Sequence, residues 1–173
     1  MTSLTKLRPA GEADADFLRA LYLDVHAADL ALMPLEPTAL AGLAGLQQRA
    51  QNASYRTRYP NSVDHVIEVA TQPVGRCWLN RDDAELRVLD IAVLASQQRR
   101  GIAREVLTRL QAEASALGCP LGLAVWHANT AASELYRRLG FFQTGETDGY
   151  LRLSWSPQLE QAQPQQAQLE PAS

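Results

Sequence analysis

Gln98-Arg99-Arg100-Gly101-Ile102-Ala103 stand between an apolar run and a helical pattern, and their types suit the binding of an anion. The run before them, Leu86 to Val93, is rich in Val, Ile and Leu and reads as a strand. After them Ile102, Val106, Leu107 and Leu110 recur at helical spacing. The pattern predicts that a strand hands over directly to a helix N-terminus. There the first backbone N–H groups lack partners within the helix and the positive end of the helix dipole points outward, so main chain alone can hold phosphate oxygens. Gly101 and Ala103 leave room for close approach, and Arg99, Arg100 and Arg104 bring guanidinium groups suited to phosphate. The chain has no Gly-rich loop ending in Lys-Ser or Lys-Thr and no three-glycine fingerprint, which removes the usual sequence support for ATP hydrolysis and nicotinamide binding.

A second segment follows at a set distance: Asn129, Ala132, Tyr136, Gly140 and Phe141, in the pattern Asn-x-x-Ala-x-x-x-Tyr-x-x-x-Gly-Phe. Asn129 or Thr130 can cap a helix whose Ala132, Leu135, Tyr136 and Leu139 share a face, and Gly140 supplies a left-handed stop. Leu135, Leu139 and Gly140 are accounted for by packing and termination. Tyr136 differs, because a buried ring leaves its hydroxyl in need of a partner.

Together the two segments resemble the signatures of the GCN5-related N-acetyltransferase (GNAT) family. Gln98-x-x-Gly101-x-Ala103 is similar to its acetyl-coenzyme A turn, Gln/Arg-x-x-Gly-x-Gly/Ala, and the Asn129 to Phe141 pattern to the signature in the helix after its fifth strand. The order strand, turn, helix, strand, helix matches the family core from about residue 85 to 142, and the resemblance extends over residues 4 to 155. It implies an α/β (α+β) fold, with a central mixed, mostly antiparallel twisted sheet of six or seven strands flanked by about four helices. The implied activity is transfer of an acetyl group from acetyl-coenzyme A to a primary amine of a small molecule or protein, by direct attack in a ternary complex without a metal. On this resemblance Ala92 and Val93 offer backbone to the acyl and pantetheine groups. Gln98, Arg99, Arg100, Gly101, Ile102, Ala103 and Arg104 would anchor the pyrophosphate, with Asn129, Ala132 and Tyr136 completing the cofactor site. The matching tyrosine of the family lies near the thioester sulfur and can protonate the departing thiolate. Arg99 departs from the family, standing where many members have glycine, and Ala103 replaces the commoner second glycine.

The acceptor side is less determined. Asp90 interrupts an apolar stretch and reads either as a structural carboxylate held by amides or an arginine, or as a general base with a pKa raised by its apolar surroundings. His127 reads first as a hydrogen-bonded structural histidine, and otherwise as a second candidate base or a group that orients the acceptor. Tyr55, Tyr59 and His65 lie where the family places its variable acceptor-site elements. The competing reading from another class is a noncatalytic acyl-coenzyme A binding or sensing module.

The elements that must position these groups can be traced. The 173 residues fit one domain over 1–155, followed from Ser156 by a Gln-, Pro-, Ala- and Glu-rich tail expected to be disordered. Leu4 to Arg8 reads as a strand, and Phe17, Leu18, Leu21, Tyr22 and Val25 mark the buried face of a helix. A second helix is expected from Glu36 to Gln51 with Leu40, Leu43 and Leu46 inward, then a polar loop or partly helical segment to Asp64. Strands follow at Val66 to Ala70 and Val74 to Leu79, joined by a turn at Gln72-Pro73, and a closing hairpin spans Phe141 to Glu146 and Tyr150 to Trp155 around Asp148-Gly149. A net charge of -3 supplies no global basic field for nucleic acid or anionic membrane. No apolar run approaches a membrane span and no apolar signal segment opens the chain, so a cytoplasmic protein, monomer or homodimer, is expected. Cys77 and Cys119 lack metal-ligand spacing and read as reduced packing residues, and no metal site is expected.

Overall fold

The computed structural model describes residues 5–157, so Leu4 and all of the expected tail except Ser156 and Pro157 lie outside the described residues. Seven strands follow the sheet order β1-β2-β3-β4-β5-β7-β6, and five α-helices are formed among the described residues. The chain divides into two compact units, one of Met1–Arg81 and Val88–Val106, the other of Asp82–Arg87 and Leu107–Ser173. None of the described helices is long and apolar enough to cross a membrane.

In the first unit β1 (Thr5–Pro9), β2 (Val63–Val69) and β3 (Gln72–Arg81) pair antiparallel, and β4 (Leu86–Val93), which belongs to this unit from Val88 on, lies next to β3 in the strand order. The β2–β3 turn is Ala70-Thr71, with φ of 48° and 66°, and Gln72-Pro73 belongs to β3. Two left-handed residues give a hairpin turn the twist of its strands. That requirement placed the turn two residues earlier than proline punctuation suggested. Between the helices of this unit, α1 (Ala15–Val25) and α3 (Pro37–Arg58), stands a short α2 (Ala27–Ala31) that the sequence pattern did not reveal.

Helix α3 begins with Pro37 at its first position, as proline's fixed φ favours, and continues seven residues beyond the expected end at Gln51. Tyr55 is therefore helical. Its buried stripe is Ala44, Gly45 and Gln48, whereas Leu46 is 60% exposed. Small residues let α3 approach closely enough for Gln48 Nε2 to donate to the Leu18 carbonyl of α1 at 2.9 Å. A leucine count could not anticipate this. The first unit's core is built from Leu21, Val66, Ile67, Trp78 and Leu79, all 2% exposed or less.

The second unit contains most of α4 (Ile102–Leu117), β5 (Leu121–Trp126), α5 (Thr130–Arg138), β6 (Phe142–Thr147) and β7 (Tyr150–Trp155). Strand β7 pairs antiparallel with both β5 and β6, and its hairpin with β6 turns on Asp148 and Gly149, φ 52° and 80°, as expected. Leu107, Leu110, Leu121, Leu123 and Trp155 are buried in it. The Gln111 side-chain amide donates to the Leu139 carbonyl at 2.6 Å and fixes the end of α5 to α4.

Candidate functional site

The turn at residues 98–103 forms at the expected place, with one difference. A 3-10 turn over Ala95–Gln97 separates β4 from α4, so the strand does not pass straight into the helix. Two side chains fix this connection. Asp24 of α1 accepts from the Ala95 amide at 2.6 Å, and Gln98 Nε2 donates to the Val93 carbonyl at 3.0 Å. Arg100 donates to Gln97 Oε1 at 2.5 Å. Gly101 has φ of 81° with open space around its missing side chain, so the residue is glycine for backbone conformation. Arg99 also occupies the left-handed region, at φ 63°, which explains glycine's suitability at that position. Its side chain is exposed and does not fill the turn.

Helix α4 starts with the Glu105 amide donating to the Gly101 carbonyl at 2.9 Å. The amides of Ile102, Ala103 and Arg104 precede that first bond and are the helix's natural anion donors. Ile102 is buried, Ala103 half-buried, and Arg99, Arg100 and Arg104 exposed, which anchors the turn through one apolar side chain and surrounds it with positive charge. These residues fit a pyrophosphate.

Asp90 lies upstream on β4 in a small, partly open cleft within the first unit. Leu18, Tyr22 and Val25 of the apolar face of α1 wall it and are only half-buried for that reason, while Ala92 and Asp90 share one face of β4. Arg76 on β3 is the nearest cation to Asp90. Its Nε and Nη2 donate to Asp64 Oδ1 and Oδ2 at 2.8 and 2.9 Å, and Nη2 also reaches Asn52 Oδ1 at 2.9 Å. Only a longer 3.4 Å contact from Nη1 remains for Asp90 Oδ2. The β2–β3 register pairs Val66 with Arg76 and Asp64 with Trp78, placing Asp64 and Arg76 on one sheet face. Burial raises the Asp90 pKa, Arg76 opposes that shift, and the Asp64 charge adds to it. A carboxylate held above its usual range beside a cleft has the properties of a general base.

His65, Tyr55 and Tyr59 are placed elsewhere. His65 pairs with Cys77, so the alternation of the strand turns it to the face opposite Arg76. It is 8% exposed, its Nδ1 lies 3.0 Å from the Val63 carbonyl and 3.2 Å from that of Cys77, and burial lowers its pKa. The Tyr55 ring meets Trp78 edge-on at 5.3 Å. Tyr59 closes α3, where its carbonyl accepts from Ser62 Oγ, which in turn accepts from Trp78 Nε1 at 2.9 Å. These three residues thus frame β2, β3 and Trp78, and none lines the cleft. Arg76, Tyr22 and Gln51 line the cleft, and Asp64 holds Arg76, places that the sequence did not point to. Their signals, an arginine amid the apolar run of β3 and polar residues on a helix face, are common in any soluble protein.

In the second unit Asn129 caps α5 as expected, its Oδ1 accepting from the Ala132 amide at 3.1 Å, and Gly140 ends the segment at φ 80°. Tyr136 is 6% exposed with its ring edge-on to Phe141 at 5.7 Å. His127 is exposed, packs on Trp126 at 4.4 Å, and has Nδ1 3.0 Å from the Gly149 carbonyl, an arrangement that ties the β6–β7 turn to the end of β5. Among the described residues no group of three or more His, Cys, Asp or Glu side chains is arranged to hold a metal ion.

The fold is similar to solved acetyltransferases. A Thermoplasma acidophilum PaiA N-acetyltransferase in complex with coenzyme A superposes with a TM-score of 0.66 at 11% identity, over 90% of this chain and 99% of that one. An acetyltransferase from Thermus thermophilus gives 0.65 at 18% identity, with 90% and 99% covered. A Vibrio cholerae spermidine N-acetyltransferase in complex with coenzyme A and spermine gives 0.61 at 19% identity, with 90% and 96% covered. No curated protein sequence matches the chain. The sequence model of the Acetyltransferase (GNAT) family matches residues 36–141, which include β4, the basic turn, the Asp90 cleft strands and the Tyr136 helix, and the chain belongs to that family.

Proposed function

We propose that the protein is an acetyl-coenzyme A-dependent N-acetyltransferase acting on a primary amine. The observation that carries this reading is the position of Asp90, which lines a cleft with Leu18, Tyr22 and Val25 on the strand that leads into the basic turn, where burial pushes its pKa upward. The Ile102, Ala103 and Arg104 amides hold the pyrophosphate of the donor, assisted by Arg99, Arg100 and Arg104. Backbone at Ala92 and Val93 aligns the pantetheine and acyl groups with the strand. Asp90 takes a proton from the acceptor nitrogen as that nitrogen bonds to the thioester carbon. The C–S bond then breaks, and Tyr136 gives its proton to the departing thiolate, so acid and base are separate residues. Support for Tyr136 is its place in the family pattern with Asn129 and Ala132. Positioning of the two substrates supplies much of the acceleration. The same reading places the chemistry in one domain over 1–155.

The test is thiol release from acetyl-coenzyme A with primary amines. Wild-type kcat/KM is expected to rise with pH through a value above the ordinary carboxylate pKa of about 3.9, and Asp90→Asn to lose about 100- to 10,000-fold in kcat. Full turnover in Asp90→Asn would refute the assignment of the base. Saturable acetyl-coenzyme A binding without amine-dependent turnover would favour the binding or sensing module.

A further inference from the structure

The Asp90 cleft holds one polar group that the proposed reaction leaves unused. Gln51 of α3 lines the cleft, and its side-chain carbonyl oxygen is buried without a hydrogen-bond partner. One turn earlier on the same helix, Gln48 has its amide donating to the Leu18 carbonyl. The neighbouring guanidinium does not serve Gln51, since Arg76 directs its N–H groups at Asp64, Asn52 and Asp90. Buried polar atoms in native proteins are almost always paired, and an orphan acceptor on a residue that lines a cleft is readily explained by a donor that arrives with a ligand, once the side chain turns to meet it.

We infer that Gln51 Oε1 and the Asp90 carboxylate form a two-acceptor seat for the incoming amine, and that the amine is carried on an apolar stem. This rests on the transferase reading above. A neutral primary amine has two N–H bonds and one lone pair. One N–H donates to Gln51, the other to Asp90, and the lone pair is left to face the thioester carbon. Asp90 then removes its proton as the N–C bond forms, while Gln51 only orients the nitrogen. The walls beyond the seat are Leu18, Leu21, Tyr22 and Val25, which suit a hydrocarbon or aromatic body. Asp90 is the only acidic side chain among the residues lining the cleft, and Arg76 and His26 line it too. A second ammonium, as in a polyamine, would meet no second carboxylate there.

Calorimetric titration of phenethylamine and of spermidine into the full chain, with and without coenzyme A, tests this seat. Wild-type protein is expected to bind phenethylamine more tightly than spermidine. Gln51→Leu should weaken phenethylamine about tenfold and raise its KM by a similar factor, leaving the acetyl-coenzyme A KM unchanged. Gln51→Glu, which keeps an acceptor oxygen and adds an anion, should retain phenethylamine and gain spermidine. The thermal midpoint of Gln51→Leu should not fall below wild type, because the lost carbonyl has no partner; a structural glutamine would give a drop. Unchanged affinity in Gln51→Leu, tighter wild-type binding of spermidine, or no amine binding would overturn the seat. Gln51-dependent amine binding without acetylation would leave the seat standing and refute the transferase reading.

Discussion

Gly75 on β3 is a sensitive point of the site although it bears no side chain. A methyl group at this position would fall well inside van der Waals contact of the Ala92 carbonyl oxygen, 3.2 Å from Ile67 Cδ1 and 3.3 Å from Val93 Cα. Two of these three neighbours are backbone of β4, so no rotamer change relieves the clash. The adjacent hydrogen bond, from the Leu94 amide to the Val74 carbonyl at 2.9 Å, ties the strands together where they would have to separate. Ordinary contact requires a displacement of roughly 1 Å. Overpacking of this kind costs about 1–3 kcal/mol, which lowers the melting temperature by roughly 2–4 °C per kcal/mol in a protein of this size. Ala92 and Val93 are the backbone assigned to the acyl and pantetheine groups, and a misplacement of about 1 Å can cost about 100-fold in rate. Gly75→Ala is therefore expected to lower both stability and kcat, measured by thermal unfolding and thiol release. Gly42→Ala is the control, because a methyl there meets nothing within 4 Å and lies in the exposed interior of α3. It should stabilise by about 0.5–1 kcal/mol and leave turnover unchanged. Wild-type turnover in Gly75→Ala would refute the reasoning that β4 must hold its position against β3.

Two further predictions concern pH and stability. Asp14 accepts 2.7 Å bonds from both Arg8 Nη atoms and a 2.8 Å bond from the Gly11 amide, and these hold its pKa at about 2. A carboxylate depressed by folding stabilises the native state above its unfolded pKa and loses that contribution as pH falls through the folded value. The denaturation midpoint of Asp14→Asn should lie below wild type at pH 6, and the gap should close as pH falls from about 4 to about 2. Asp90 has the opposite sign. Its raised pKa means that ionisation in the folded state opposes stability, fully so above the folded value, so Asp90→Asn should melt no lower than wild type at neutral pH while losing activity.

Local chemistry made much of this protein legible in its sequence. Leu86 to Val93 formed a strand with those bounds, Asn129 capped α5, Gly140 stopped it, and Asp148-Gly149 made the closing hairpin turn. Each depends on residues a few positions apart. What escaped depends on contacts distant in sequence. The buried stripe of α3 is made of small residues because α1 packs close, and Leu46 is consequently left exposed. Ala70 and Thr71 took left-handed conformations that neither residue type advertises. Asp90 stood out as a charge in an apolar run, but the cleft around it joins α1, α3, β3 and β4, so Arg76 and Gln51 emerged only with the fold. His65 went to the opposite face from Arg76 because β2–β3 register, invisible in one strand alone, decides which side each residue meets.

Calorimetric titration of acetyl-coenzyme A into wild-type protein and Ala103→Glu tests most directly whether the basic turn is a donor site. Glutamate would bring bulk and negative charge to the first turn of α4, among the amides assigned to the pyrophosphate. Saturable wild-type binding that is abolished in a folded Ala103→Glu protein is the predicted result. No binding by folded wild-type protein, or equal binding by the two, would contradict the account.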